Sequence, residues 1–149
     1  MDKCINCGGK RLKASFTTDQ TTISGITLTG EVAAVECVKC GETYTRLDDL
    51  GGFELAVAER LASLGIRTGA AFKFMRKALG LRAIDLAELL DVAPETVSRW
   101  ETGEPEAHVF ALVGSMVADR IEGRDATVKR LRAMYSTRRK PMRIRVRAA

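Results

Sequence analysis

Two short cysteine motifs constrain this chain more than any other feature of its sequence. Cys4-Ile5-Asn6-Cys7-Gly8 and Cys37-Val38-Lys39-Cys40-Gly41 repeat the pattern CxxCG and contain all four cysteines of the 149 residues. Two thiolates separated by two residues can turn onto one cation, and the glycine that follows permits the positive φ of such a turn. The pair predicts a tetrahedral four-sulfur site that binds Zn²⁺. Because four thiolates leave no coordination position for water, we expect this zinc to be structural.

Disulfides and a redox-active pair are the alternatives for these cysteines. Disulfides are typical of exported proteins, whereas the first residues, MDKCINCGGK, are polar and carry no apolar core. The chain also has no run of the ~18 to 20 apolar residues that cross a bilayer. We therefore predict a cytoplasmic protein with reduced cysteines, and the matched motifs with their trailing glycines favour zinc over a redox pair.

The residues between the two motifs have the pattern of β-strands. The apolar residues alternate in 11–18, where Leu12, Ala14 and Phe16 share a face, and further strands are predicted in 21–28 and 31–36. These strands would form a β-ribbon between the two cysteine turns. The sequence Asp48-Asp49-Leu50-Gly51-Gly52 then breaks the pattern and is our candidate boundary, so we predict a zinc-ribbon domain over residues 1–50.

Beyond this boundary the apolar residues recur at helical spacing. We predict a connecting helix in 51–67, a helix-turn-helix and dimerisation domain over 68–122, and a short helix with a basic tail over 123–149. The predicted fold class is α+β with two domains: an N-terminal zinc-bound β-ribbon and a C-terminal all-α, repressor-like helix-turn-helix, followed by a basic C-terminal extension.

The segment DVAPETVSRWETGE, residues 91–104, separates into two faces when it is drawn at about 100° per residue. Val97 and Trp100 lie on one side and are predicted to pack inward. Upstream, the small Ala87 permits a close helix crossing, and Val92 follows a three-residue turn as a further core anchor. This is the form of a helix-turn-helix, although an ordinary amphipathic helix with Trp100 in the core is the alternative. The outer face carries Glu95, Ser98, Arg99 and Thr102.

The sequence LRAIDLAELLDVAPETVSRWETGE, residues 81–104, resembles the XRE-type, repressor-like helix-turn-helix. That family shares a small residue in the first helix and an S-R-W/Y-E-x-G ending of the second. Joined to the CxxCG ribbon, residues 1–122 resemble the MqsA-type (YgiT-type) zinc-finger antitoxins. The resemblance implies a zinc ribbon that binds a ribonuclease toxin, and a helical domain that dimerises, binds a palindromic operator in double-stranded DNA and represses its own operon.

The same resemblance implies which side chains contact DNA. Glu95 and Arg99 would read bases, and an arginine can donate two hydrogen bonds to guanine. Glu95 stands where an asparagine is expected; a carboxylate accepts from cytosine and is repelled by phosphate, so the target sequence should differ. Ala83 stands where a glutamine is frequent, so we expect Arg82 to take over that backbone contact. The complete predicted set in this domain is Arg82, Glu95, Thr96, Ser98, Arg99 and Thr102.

An apolar stripe in residues 106–121 predicts a homodimer interface. One face of this helix can cover the helix-turn-helix, and the remaining apolar residues of the stripe could pack against a second subunit. A two-fold dimer would set two recognition helices ~34 Å apart on a palindromic site. A helix buried in its own domain is the alternative. The predicted interface residues are Val109, Leu112, Val113, Met116 and Val117.

The excess positive charge lies at the C-terminal end. Residues 124–149 carry ten basic residues and one acidic residue, whereas residues 1–52 and 53–123 have net charges of −1 and −3. Such a basic block favours a polyanionic partner, along the phosphate backbone or in a minor groove. A strand at a sheet edge or against a partner, and a solvated tail, are the alternatives. The tail residues predicted to contact DNA are Arg138, Arg139, Lys140, Arg143, Arg145 and Arg147.

The sequence contains no motif that pairs a nucleophile with a base, so we do not predict an enzyme. The single histidine, His108, is interpreted as a surface or packing residue. The first hypothesis for the function is a DNA-binding autorepressor that is also the antitoxin of a type II toxin–antitoxin system. The alternatives are a stand-alone zinc-finger and helix-turn-helix regulator, and a protein whose zinc ribbon binds RNA or a large assembly.

Overall fold

The computed structural model describes residues 2–135 and 143–148. It has the predicted α+β fold class, with an N-terminal antiparallel β-structure that carries the four cysteines and a C-terminal helical region that contains a helix-turn-helix. In the part of the chain described, each helix is too short or insufficiently apolar to span a membrane. The elements in chain order are β1 (Leu12–Ile23), β2 (Ile26–Cys37), β3 (Thr43–Thr45), α1 (Leu47–Ser63), α2 (Gly69–Ala78), α3 (Ala83–Leu90), α4 (Pro94–Thr102), α5 (Ala107–Ile121) and α6 (Ala126–Met134).

One long hairpin takes the place of the three short strands that the sequence predicted. β1 and β2 pair along their whole length, from Leu12 opposite Cys37 to Ile23 opposite Ile26. Ser24 and Gly25 both have positive φ, as a two-residue hairpin turn requires. The hairpin therefore joins two distant sites: Cys37 stands at one end, and the buried Ile23 belongs to the helical core at the other.

The two faces of the hairpin differ in burial. Val32 and Ala34 of β2 are buried on the face that packs against α1. The alternating residues Ala14 and Phe16 of β1 lie on the opposite face, where Phe16 is 71% exposed. The apolar alternation of β1 thus marks an outer surface and not the core.

The connecting helix α1 begins at Leu47, before the range 51–67 in which the sequence predicted it. Asp48 and Asp49 occupy its first turn, where carboxylates stabilise the helix through its macrodipole, and Asp49 accepts a hydrogen bond of 2.8 Å from Arg46 Nε. The stretch 48–52 that we interpreted as a boundary is therefore helical. Because α1 buries Val57, Ala58 and Leu61 against α2, α5 and β2, it is a shared core element.

The helical core contains the side chains that the sequence assigned to the inner face of the second helix. Val97 is fully buried, and Trp100 is 9% exposed and meets Phe72 edge to face at a centroid distance of 5.9 Å. Ala87 is also buried, as a close crossing of α3 and α4 requires. The predicted inward packing of Val97 and Trp100 is confirmed.

Gly69 is a glycine that packing requires, although no sequence pattern indicated it. Its N–H donates to the carbonyl of Gly103 at 2.9 Å, which ties the start of α2 to the end of α4. A Cβ at position 69 would lie 2.5 Å from the carbonyl oxygen of Glu101 and 2.6 Å from that of Gly103. Both neighbours are backbone atoms, so one of the two helices would have to move.

We therefore expect Gly69→Ala to lower the free energy of unfolding by about 1–3 kcal/mol, the usual cost of overpacking. Urea denaturation followed by circular dichroism measures this. Gly51→Ala is the matched control, because Gly51 lies inside α1 with nothing within 4 Å of an added Cβ. Alanine there should stabilise the helix by about 0.5–1 kcal/mol. Equal effects of the two substitutions would contradict the close approach at Gly69.

Candidate metal centre and nucleic-acid interface

The four cysteine sulfurs form one cluster at the open end of the hairpin. All four lie within 4.8 Å of one another, and the Sγ–Sγ distances are 3.6 Å for Cys4 and Cys40 and 3.7 Å for Cys7 and Cys37. Around a tetrahedral ion with metal–sulfur bonds of about 2.3 Å, neighbouring sulfurs stand about 3.8 Å apart. The cluster therefore fits one tetrahedral metal ion.

The two CxxCG motifs adopt the same turn. Gly8 N–H donates to the carbonyl of Cys4 at 2.9 Å, and Gly41 N–H donates to that of Cys37 at 2.8 Å. Both glycines have positive φ, 67° and 75°, in the left-handed region that glycine enters without strain. The glycines thus have the role that the sequence predicted, and each turn presents two thiols to the same point.

The thiols of the cluster do not ionise equally. Burial raises the pKa of the Cys4 thiol, but hydrogen bonds from the Tyr44 hydroxyl and from the backbone N–H of Cys7 outweigh burial and lower the pKa to about 6. The N–H of Glu42 lowers the pKa of Cys40, yet desolvation and the neighbouring thiols raise it to about 12. A divalent cation bound among the four sulfurs would offset the repulsion between neighbouring thiolates.

Tyr44 is a partner of the cluster that sequence reasoning missed. Its hydroxyl lies 2.9 Å from Cys4 Sγ and accepts a hydrogen bond of 3.1 Å from the backbone N–H of Asn6. Burial and the contact with Cys4 raise the pKa of Tyr44 to about 12. The hydroxyl therefore stays protonated at neutral pH and donates a hydrogen bond to the sulfur. β3, which pairs with β2 through Val35 opposite Tyr44, holds the ring in place. An aromatic residue four positions after Cys40 was the only available signal.

The helix-turn-helix consists of α3, the turn Asp91-Val92-Ala93, and α4. Asp91 ends α3 in the left-handed conformation, with φ of 54°, and the N–H of Val92 donates to the carbonyl of Ala87 at 3.0 Å. α4 then begins with Pro94 in its first turn. A backbone N–H at this position would have no acceptor within the helix, so proline costs no hydrogen bond there. This local geometry sets the direction in which α4 leaves the turn.

The predicted outer face of α4 is exposed. Arg99 donates to the hydroxyl of Thr96 at 3.2 Å, and Thr102 donates to the carbonyl of Ser98 at 3.0 Å, so both polar side chains stay close to their own helix. Thr96 is half-buried. The exposed residues of this surface are Glu95, Ser98, Arg99 and Thr102.

A buried ion pair fixes α4 against α2. Arg76 Nε donates to the carboxylate of Glu101, with both side chains about nine-tenths buried, and Arg76 Nη1 donates to the carbonyl of Leu81 at 2.6 Å. A buried charge without its partner is strongly destabilising, so this pair defines the position of α4. The burial of Arg76 could not be predicted from the sequence, because a single arginine in an amphipathic helix has the pattern of a solvated residue.

Arg82 lies at the start of α3 and is held by its own helix. Its guanidinium donates to both carboxylate oxygens of Asp85, at 2.9 and 2.7 Å, and this contact lowers the pKa of Asp85 to about 2. The side chain of Arg82 is nevertheless mostly exposed. A phosphate contact by Arg82 would thus have to share or replace the ion pair with Asp85.

The apolar stripe of α5 lies inside the monomer. α5 packs against α1, α2 and α6, which bury its apolar side chains, and Leu112 is half-buried. The physical reason is that α1 and α6 each cover part of the stripe that the sequence left for a second subunit. The structure thus gives the stripe the alternative role of an intramolecular core, while dimerisation itself stays a prediction. The buried members are Val109, Val113, Met116 and Val117.

The tail residues are only partly described. Arg143 and Arg145 lie in an exposed segment, 143–148, without helix or strand. The predicted contacts of Arg138, Arg139 and Lys140 lie outside the described residues. Contact of the tail with DNA therefore stays a prediction.

The comparison with protein families agrees with the helical geometry. The family model described as helix-turn-helix matches residues 72–112, which include all of α3 and α4. This match supports the predicted DNA-binding domain of the XRE type. No curated protein matches the chain. The resemblance of the longer stretch to MqsA-type antitoxins therefore stays a prediction.

Proposed function

We propose that this protein is a sequence-specific transcriptional repressor that binds its operator through α4 and carries a structural Zn²⁺ on Cys4, Cys7, Cys37 and Cys40. The observation that carries the proposal is the surface of α4 inside the matched helix-turn-helix. Glu95, Ser98 and Arg99 are exposed there, while Val97 and Trp100 hold the opposite face in the core. An α-helix of this kind fits the major groove, where side chains at its N-terminal half reach base edges.

The net charge of the helical region determines which contacts must carry the binding to DNA. Residues 53–123 have a net charge of −3, so general attraction to phosphates is weak. Specific contacts from α4 must then carry more of the binding free energy, with Arg99 donating to guanine and Thr96 and Ser98 near phosphates or bases. Glu95 adds discrimination, because a carboxylate accepts from cytosine and rejects bases that offer acceptors.

Replacing Glu95 with glutamine should strengthen binding to unrelated DNA or change the preferred base. The substitution removes one negative charge near the phosphates, and a unit pair at 4 Å in water is worth about 1 kcal/mol, or roughly fivefold in affinity. Fluorescence anisotropy with scrambled duplex DNA measures the effect. Glu54→Gln is the control, since Glu54 is exposed on α1. If Glu95→Gln changes neither affinity nor preference, Glu95 does not face the duplex.

The antitoxin role forms the second part of the proposal. It is supported by the presence of a cysteine ribbon and a helix-turn-helix in one chain, and by an apolar surface on the outer face of the hairpin. Phe16 is largely exposed there and stands opposite the exposed Ala33. An exposed aromatic side chain on a rigid sheet is the kind of anchor that protein partners bury. We propose this face as the surface that binds a ribonuclease toxin.

The neighbouring reading frame tests the antitoxin role. A toxin encoded there should stop growth when it is expressed alone and should be harmless when co-expressed with this protein. Phe16→Ala should weaken that protection without changing the metal content, whereas Lys73→Ala, which is exposed on α2 and not on this face of the hairpin, serves as the control. A neighbour that is harmless alone would contradict the antitoxin role and leave the repressor proposal standing.

A further inference from the structure

The open edge of β2 borders a groove that the proposed function does not use. β2 pairs with β3 only at Ala34, Val35 and Glu36, so among the described residues the edge of 26–33 is covered by no strand. Beside this edge runs a groove of about 570 Å³ between β2 and α1. An unpaired strand edge presents free N–H and C=O groups and is a template for an added strand.

The groove has an acidic rim and a floor of small side chains. Gly52 and Ala56 of α1 form part of the floor, and each is exposed. Among the described residues Glu31, Asp48 and Glu59 form no ion pair, and Arg60 is the single basic residue in the lining. An occupant should therefore be extended, carry modest apolar side chains and be basic.

The C-terminal segment 143–148, with the sequence RIRVRA, has these properties. Ile144 and Val146 alternate with Arg143, Arg145 and Arg147, so an extended chain would place the apolar pair on one face and the charges on the other. Six residues span about 20 Å as a strand, and the groove borders the six residues 28–33 of β2. Ile144 and Val146 are 73% and 86% exposed.

We propose that segment 143–148 of one copy of this chain adds as a strand to the edge of β2 in a second copy, with Ile144 and Val146 over Gly52 and Ala56 and the arginines on the other face of the added strand, on the side of Glu31. A second copy is the occupant because a single chain leaves both the segment and the groove floor exposed. Reciprocal exchange of the two segments gives a closed two-fold dimer. It supplies a dimer contact independent of α5, whose stripe is buried.

Two full-length variants test the docking from its two sides. Gly52→Leu fills the floor of the groove, and because nothing lies within 4 Å of an added Cβ, the helix accepts it. Val146→Pro removes an N–H and prevents regular pairing of the segment. Gly51→Leu is the matched control, since position 51 is also open but does not line the groove.

Sedimentation equilibrium without DNA is the measurement, so its result is independent of the repressor proposal. The wild-type chain and Gly51→Leu should dimerise, and Gly52→Leu and Val146→Pro should each raise the dissociation constant by about tenfold or more. A mixture of the two weakened variants should regain part of the dimer, because one intact segment meets one intact groove. A wild-type monomer at about 100 μM, as expected if the tail binds DNA or its own chain, would overturn the proposal. A dimer that both variants leave unchanged would also overturn it.

Discussion

The Cys4→Ser variant is expected to lose its metal and the order of the ribbon while the helical region stays folded. Structural zinc in small domains contributes about 10–16 kcal/mol at neutral pH, far more than three strands contribute by packing alone. Cys4 is buried, and its sulfur lies 2.9 Å from the hydroxyl of Tyr44. A serine hydroxyl is a poor substitute for the thiolate, so metal content should fall from about one ion per chain to about none.

The core explains why the helices should survive this change. It is built from residues of α1 to α6 with Ile23 at the tip of the hairpin, and it includes none of the cysteines. Metal analysis, limited proteolysis and circular dichroism together separate the two regions. Ile5→Ser is the matched control, because Ile5 lies in the same turn and is 75% exposed. A Cys4→Ser protein that keeps a full complement of zinc would contradict the four-sulfur site.

The Arg99→Ala variant is expected to lose most of its preference for the operator. A guanidinium that donates twice to guanine contributes about 1–3 kcal/mol of discrimination, which is roughly 5- to 150-fold in affinity for one site. Arg99 is exposed on α4 and bonds only to Thr96 among the described residues, so its loss removes no core contact. The affinity for the operator should fall much more than the affinity for scrambled DNA.

Arg130→Ala is the control for charge. Arg130 lies exposed on α6 and its loss removes the same positive charge from the protein. Gel-shift titrations of both variants at several salt concentrations compare base reading with phosphate attraction, because each lost phosphate contact lowers the slope of affinity against salt. If Arg99→Ala and Arg130→Ala weaken both DNAs alike, Arg99 does not read bases.

The features that the sequence predicted well are those fixed by local chemistry. The spacing of Cys4, Cys7, Cys37 and Cys40 was sufficient to predict one cluster. Each CxxCG turn presents two thiols, and two such turns complete a tetrahedral four-sulfur site. The division of α4 into the buried Val97 and Trp100 and an exposed polar face followed from helical period alone. Both predictions need only residue type and spacing of neighbours in the chain.

The features that it missed depend on residues far apart in the chain. Gly69 is required because α2 begins against the last carbonyls of α4, and Arg76 is buried because Glu101 lies opposite it. Periodicity shows that a face of α5 is apolar but not which element covers it, so the sequence left open whether this face packs within the chain or against a second subunit. Tyr44 contacts Cys4 because β3 pairs with β2.

Binding of the purified, zinc-loaded protein to the DNA upstream of its own gene tests the central claim most directly. Footprinting in the presence of excess scrambled duplex should show one protected site with two related half-sites about one helical turn apart, and Arg99→Ala should abolish the protection. Protection that spreads evenly over any DNA, or that Arg99→Ala leaves intact, would contradict the assignment of α4 as the helix that reads the operator.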